Sequence, residues 1–263
     1  MEPVPFKTYN LTDGVVYGPV KSRRLGAFLG VNILPFNVKV CSFNCNYCQC
    51  GWTYDTVDPA ALAKYEWPTV EQVGDGLRAR LLELKAAGET LDSITFAGNG
   101  EPTLNPDFKD MVKAALSARD EVMPGAKVDI LSNAAHLDRQ DVVDGLNLLD
   151  ERYMKLDAGS EGQFMNMNSP VTDVGIWDIM KGMAKLNPFV VQAMFTHGRR
   201  DNTDEKSVVE WIAAVKRVKP KAVQIYSVDR FPADQKITKV ERSLLEEIGQ
   251  ALTAQTGIPA EVF

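Results

Sequence analysis

The stretch Leu91–Leu104, L-D-S-I-T-F-A-G-N-G-E-P-T-L, decides the fold. Its first part, Leu91 to Ala97, carries β-branched and aromatic residues and reads as a strand. Gly98, Asn99, Gly100 and Glu101 interrupt it. A helix capped at Asn105 follows, with Pro106 in its first turn and Phe108, Met111, Val112 and Ala115 spaced to share one buried face. Strand, glycine-bearing turn and helix make one unit of a parallel sheet, and the chain repeats that unit on both sides.

Upstream, Val31 to Phe36 reads as the first strand, with Gly18, Pro19, Gly26 and Gly30 punctuating the approach to it. Thr69 and Gln72 form a capping box, Val70, Val73, Leu77, Leu81 and Leu84 follow at helical spacing, and Gly88 ends that helix. Downstream, strands are expected at Lys127 to Asn133, Arg152 to Asp157, Phe189 to Thr196 and Ala222 to Val228. The helices between them start from a cap at Asp138, run from Val174 to Leu186 after a polar loop, and carry Val208, Ile212 and Val215. A last helix begins at a second capping box, Thr238 with Glu241, before a short apolar tail. Six units in strict alternation predict an α/β fold in which parallel strands with right-handed crossovers curl into a partial (β/α)6 barrel. One domain over 1–263 is the simplest organisation, with 1–30 as an extension packed on the barrel and 31–263 as the six units.

All four cysteines lie in one loop, Lys39 to Thr53, as K-V-C-S-F-N-C-N-Y-C-Q-C-G-W-T. Cys41, Cys45 and Cys48 are spaced C-x3-C-x2-C, close enough to face a common centre, and thiolates select zinc, Cu(I) or an iron-sulfur cluster. A structural zinc site needs four closed ligands and would enlist Cys50, whereas a four-iron cluster on three cysteines keeps one iron open. Spacings this short are poor for disulfides.

Active sites of α/β barrels gather at the carboxyl ends of the strands, and that rim is polar here. It receives the cysteines, Gly98 to Glu101, Ser132 and Asn133, Lys155 and Asp157, His197, Arg199 and Arg200, then Ser227, Asp229 and Arg230. The chain has 35 acidic and 29 basic residues, a net charge of -6, the wrong sign for holding nucleic acid through its phosphates. Without an apolar run of membrane-spanning length or a basic-then-apolar leader, the expectation is a soluble cytoplasmic protein that makes no membrane contact.

The loop at Cys41, Cys45, Tyr47 and Cys48 resembles the C-x3-C-x-aromatic-C motif of radical S-adenosylmethionine (SAM) enzymes. Within that superfamily the chain is similar to the iron-sulfur oxidoreductase branch related to tRNA wyosine synthases. The similarity runs through Y-G-P-V-K-S-R-R-L-G at Tyr17 to Gly26, F-A-G-N-G-E-P-T-L at Phe96 to Leu104, K-L-D-A at Lys155 to Ala158 and V-D-R-F-P at Val228 to Pro232. The resemblance implies a radical SAM core with one [4Fe-4S] cluster on Cys41, Cys45 and Cys48, SAM chelating the open iron, and reductive cleavage to a 5'-deoxyadenosyl radical that takes hydrogen from a small-molecule or peptide substrate. It implies an electron donor such as flavodoxin or ferredoxin. For SAM it implies contacts from Tyr47, from Gly98, Asn99 and Gly100, and from Glu101 to the ammonium group. Ser132, Asn133 and Asp157 would hold the amino acid or ribose hydroxyls, and Ile225 and Tyr226 would border the adenine. Cys50 is expected to be a bystander, and auxiliary clusters are not expected. A wyosine-type tRNA-modifying enzyme and a zinc-binding module that is no enzyme stand as the alternatives.

Overall fold

The computed structural model describes residues 11–55, 57–186 and 188–263, so the first ten residues of the expected N-terminal extension lie outside the described part. Two strands, β1 (Val16–Ser22) and β2 (Gly26–Val31), pair antiparallel as a hairpin. The first parallel strand is therefore β2 and ends where the sequence reading of Val31 to Phe36 begins. Two local forces shift it. Asn32 turns its side chain onto the backbone of Leu34, donating to the carbonyl at 3.0 Å and accepting from the amide at 3.4 Å, which offers the chain a turn in place of a ladder. Gly30, read as punctuation, is a strand residue because the Tyr17 ring lies over it: a Cβ would sit 2.0 Å from Tyr17 Cζ. Val16–Ser22 and Gly26–Val31 thus both lie in the sheet.

After the short helix α1 (Pro59–Leu62) the chain alternates. Helix α2 (Val70–Ala86) leads to β3 (Ser93–Phe96), a 3-10 turn at Pro102–Leu104 and α3 (Phe108–Val122). Then come β4 (Lys127–Ser132), α4 (Gln140–Leu148), β5 (Glu151–Lys155), α5 (Glu161–Met167) and α6 (Ile176–Met183). The remainder is β6 (Val190–Phe195), β7 (His197–Gly198), α7 (Glu205–Val218), β8 (Ala222–Ser227), β9 (Ile237–Thr238), α8 (Arg242–Thr256) and β10 (Ala260–Val262). The main sheet runs β1-β2-β3-β4-β5-β6-β8-β10, with every pairing from β2 onward parallel. The apolar tail is a seventh parallel strand on the β8 edge.

The Thr69–Gln72 capping box forms, with Gln72 Oε1 accepting from Thr69 N at 2.8 Å. The second box does not: Thr238 pairs with His197 in the β7–β9 ribbon, and Glu241 precedes α8 without a side-chain cap. Asn105 caps no long helix. Its Oδ1 accepts from Asp107 N at 2.7 Å while its amide donates to Ile33 O at 2.7 Å, so it welds the end of the 3-10 turn to the loop after β2. Helix α4 starts after Arg139, one residue beyond the expected cap at Asp138. The polar loop after β5 contains α5, too short for its periodicity to stand out.

Alternation along the strands separates two environments. Ile94, Phe96, Val128, Ile130, Val191, Ala193, Val223 and Ile225 face the helices and join the main apolar core. The opposite face carries Thr95, Asp129, Gln192, Gln224 and Tyr226, which share ladder positions across the sheet. Asp129 is 2% exposed, its Oδ1 has no partner, and burial pushes its carboxyl up to about 7 against the pull of the Thr95 and Ser93 hydroxyls. The folded state therefore keeps a proton that the unfolded chain releases near pH 4, and its stability falls as pH rises through that window. Replacing Asp129 by Asn should flatten the decline between pH 4 and 7, by up to roughly 1.4 kcal/mol per pH unit, in urea unfolding measured across pH; an unchanged slope would mean that Asp129 ionises normally.

Candidate functional site

The cysteine loop docks on the turn after β3 by main-chain pairing. Val40 N donates to Asn99 O at 2.8 Å and Glu101 N to Val40 O at 3.0 Å, a parallel bridge at Gly100. Gly100 has φ +145°, and a Cβ there would lie 1.8 Å from Val40 O. A Cβ on Gly98 would lie 2.2 Å from Asn32 Oδ1. Both glycines admit neighbouring chain. Asn99 is fully buried and spends its amide on Thr12 O, Pro35 O and Thr12 N, so its side chain staples the N-terminal segment instead of reaching a cofactor.

On its other side the loop is held at the end of α5. Asn44 N donates to Asn168 O at 2.9 Å, Asn46 N to Met167 O at 3.2 Å, and Val171 N to Ser42 O at 2.9 Å. Phe43 is buried edge-on against Phe164, ring centroids 5.2 Å apart.

The three predicted ligand thiols each face a nitrogen donor. Asn133 Nδ2 lies 3.7 Å from Cys41 Sγ and Asn168 Nδ2 lies 3.4 Å from Cys45 Sγ. The Lys39 ammonium hydrogen-bonds to Cys48. Burial pushes the Cys41 thiol up to about 12 and Cys45 up to about 11. Cys48 goes the other way, chiefly because the Cys50 thiol donates to it, and Cys50 is raised in turn. Burial pulls Lys39 down, but the neighbouring cysteine sulfurs, Cys48 first and hydrogen-bonded to it, outweigh that and leave the ammonium above its usual value. Cys50 Sγ also lies 3.5 Å from Gly98 O. Among the described residues no three His, Cys, Asp or Glu side chains are placed around one metal ion. Soft donors spread along a half-buried loop, each with an N–H for its sulfur, fit a polynuclear iron-sulfur cluster better than one zinc ion.

Asp157 does not present its carboxylate to a ligand. Oδ1 accepts from Met194 N and pairs with Lys155 Nζ, each at 2.8 Å; Oδ2 accepts from Tyr47 OH and from Asn168 Nδ2 at 2.8 Å. Four donors fill the acceptor capacity of a fully buried side chain, so its part is to fix Tyr47 inside the cysteine loop. Burial, then Asp157, raises the Tyr47 phenol well above its usual value, which keeps it the donor of that pair. Asn168 bridges Asp157, Tyr47 and Cys45.

Glu101 is only partly committed. Oε1 takes Thr103 N, Thr103 Oγ1 and Ser132 Oγ at 3.1, 2.7 and 2.8 Å, while Oε2, among the described residues, takes Asn133 N alone, at 2.7 Å. One lone pair of Oε2 stays open. Ser132 is occupied by Glu101 and the Ala134 amide, and Asn133 by Ser42 and Ala135, so both align the site from behind. The Ile225 side chain is fully buried toward Gly249 of α8, on the helix side of the sheet, so on the face where Tyr226 points this position offers its backbone. Tyr226 OH accepts from Lys155 Nζ at 2.9 Å, with the Arg24 guanidinium 3.7 Å above its ring. Burial raises that phenol, but Arg24 and Lys155 together lower it. His197 is held by Asp201 and Thr203, and Tyr54 is 86% exposed.

Sequence reasoning missed Lys39 and the linking role of Asn168. The signal for Lys39 was present: it is the one charged residue between positions 39 and 53.

No family model matches the chain. Among curated proteins it is 28% identical over 252 residues to the GTPase Obg of Brachyspira hyodysenteriae, matching 94% of this chain but spanning about a third, 35%, of that relative. It is 27% identical to UPF0026 protein MJ1312 of Methanocaldococcus jannaschii, over 89% of this chain and 70% of that one. It is 29% identical to UPF0026 protein slr1464 of a Synechocystis strain, over 82% and 76%. Among solved structures it superposes on a radical SAM methyltransferase from Sphaerobacter thermophilus with TM-score 0.66 and 14% identity, over 90% of this chain and 65% of that one. TYW1 with a lysine-pyruvate adduct gives 0.63 and 13%, over 87% and 74%, and Streptococcus suis SuiB bound to S-adenosylmethionine gives 0.60 and 17%, over 89% and 50%. At these identities the likeness is one of architecture: the chain has the parallel-strand α/β partial barrel of radical SAM enzymes.

Proposed function

We propose that this protein is a radical SAM enzyme with a single [4Fe-4S] cluster, acting on a small molecule or a peptide. The observation that carries the reading is the C-x3-C-x-Tyr-C loop, seated at the carboxyl edge of a radical SAM barrel with a nitrogen donor at each of three thiols and Glu101 half-committed beside them. When bound, a reduced cluster would cleave SAM reductively and supply a 5'-deoxyadenosyl radical for hydrogen abstraction.

The side chains divide the remaining work. Cys41, Cys45 and Cys48 would hold the cluster as thiolates, and loading would displace the protons that burial keeps on Cys41 and Cys45. Glu101 offers the open lone pair of Oε2 to the SAM ammonium, its other oxygen pinned so that the carboxylate cannot swing away. Ser132 and Asn133 keep Glu101 oriented, and Asp157 with Asn168 keeps Tyr47 against the loop. Tyr226, on the inner face with Met194, offers a flat surface for the adenine. The electron arrives from a carrier of the flavodoxin or ferredoxin kind, and the protein works in the cytoplasm. Among the described residues no helix is long and apolar enough to cross a membrane.

The net charge of -6 disfavours a tRNA substrate, and no Gly-x4-Gly-Lys-Ser/Thr phosphate loop occurs in the 263 residues to support GTP binding. Anaerobic reconstitution with iron and sulfide, followed by SAM and dithionite, should yield 5'-deoxyadenosine on chromatography. A fully loaded protein that makes none would sink the proposal, and zinc without iron on elemental analysis would favour the binding module instead. In the same assay Cys48→Ala should lose the cluster's absorbance and iron, while Cys50→Ala should keep both; loss of iron in the Cys50 variant would reassign the ligands.

A further inference from the structure

A buried lysine that meets no carboxylate needs another source of negative charge, because an isolated ammonium out of water is costly. Lys39 is 7% exposed, and among the described residues it makes no ion pair with Asp or Glu. Nζ donates to Gly51 O at 2.7 Å, which closes a ring of chain running from residue 39 to residue 51 and containing all four cysteines. The far end of the clasp is itself anchored, since Gly51 N donates to Cys48 O at 3.4 Å. The Lys39 ammonium instead hydrogen-bonds to Cys48, whose thiol is lowered, with the Cys41 and Cys45 sulfurs nearby. The other two donors aimed at those sulfurs, Asn133 and Asn168, are neutral amides.

Resting on the function proposed above, we infer that Lys39 is the resident counter-charge of the cluster: its fixed ammonium stabilises the reduced, more negative state and sets the reduction potential, while its bond to Gly51 keeps the loop closed. A cation beside the sulfurs favours the added electron, so removing it moves the potential negative. The clasp and the charge are separable. Glutamine keeps an N–H for Gly51 without charge, methionine keeps length without either, and arginine keeps charge and donor.

Wild type, Lys39→Gln, Lys39→Met and Lys39→Arg are reconstituted anaerobically, folding is checked by circular dichroism, and the midpoint potential of each bound cluster is titrated with detection by electron paramagnetic resonance. The neutral variants should show at least a tenfold loss in the one-electron reduction equilibrium, a shift of about 59 mV to more negative values, with Lys39→Arg remaining near wild type. Should Lys39→Met be recovered unfolded, Lys39→Gln carries the same comparison. If neither neutral variant retains iron, retention by Lys39→Arg supports the counter-charge and loss in Lys39→Arg as well overturns it. Neutral variants that load and titrate at the wild-type potential overturn it too, leaving Lys39 a clasp. A wild type that binds no iron-sulfur cluster removes the function proposed above before any variant is compared, so the two failures are told apart.

Discussion

The parallel bridge between Val40 and Gly100 is the contact on which the site depends. It joins two segments, the cysteine loop and the turn after β3, through main-chain hydrogen bonds that require the two backbones to meet where a side chain at position 100 would collide with the Val40 carbonyl. The positive φ of Gly100 and the absence of a Cβ are both used. Because the bridge ends at Glu101 N, the same contact that seats Cys41 also places the Glu101 carboxylate. The cysteine loop and Glu101 are thus tied by the same main-chain pairing.

The two buried carboxylates near the loop illustrate how hydrogen-bond capacity assigns roles. Asp157 and Glu101 both lie at strand ends and both are almost inaccessible. Asp157 has a donor for each of its lone pairs, one of them the Lys155 ammonium, so its negative charge is consumed within the protein. Glu101 keeps a vacancy on Oε2. The difference arises from what each neighbour can donate: a phenol, an amide, a main-chain N–H and an ammonium around Asp157, against two hydroxyls and two main-chain N–H groups around Glu101, three of them crowded on Oε1. Counting donors separates an anchor from an acceptor where residue type and position along the strand do not.

The alternation of strands and helices was legible because each unit is built from local signals: β-branched runs, glycine stops and the Thr69–Gln72 box. What escaped was non-local. Gly30 looks like a break until the Tyr17 ring is laid over it from another strand, and the Ile-Pro-Ala-Glu-Val-Phe tail reads as an ending until β8 offers it an edge. The cysteine spacing exposed the candidate ligands, since three of them lie within eight positions of one another. The role of Asn168 was hidden because its partners, Cys45, Tyr47 and Asp157, are 123, 121 and 11 residues away along the chain. Neighbours on a strand point to opposite faces, so the Ile225 and Tyr226 side chains do not both look inward.

The open edge of the sheet also explains the Ser-Arg-Arg-Leu turn between β1 and β2. A parallel sheet that stops short of closure leaves a gap between its first and last strands, and this turn reaches across it. Arg23 pairs with Asp229 beyond β8 at 2.9 Å, but both groups are more than half exposed, so solvent and salt leave that pair worth roughly 0–1 kcal/mol at most. Arg24 makes the stronger tie. It donates to Gln192 Oε1 at 2.9 Å, Gln192 donates on to Gln224, and the guanidinium lies flat on Tyr226, a cation–π contact worth up to about 2 kcal/mol when desolvated. The two arginines are adjacent in sequence yet differ because one ends in water and the other among inward-facing side chains of β6 and β8. With Lys155 Nζ donating to the Tyr226 hydroxyl, the ring has two cations against it. The bridge that spans the gap thereby also sets the electrostatics of the inner wall beneath the cysteine loop.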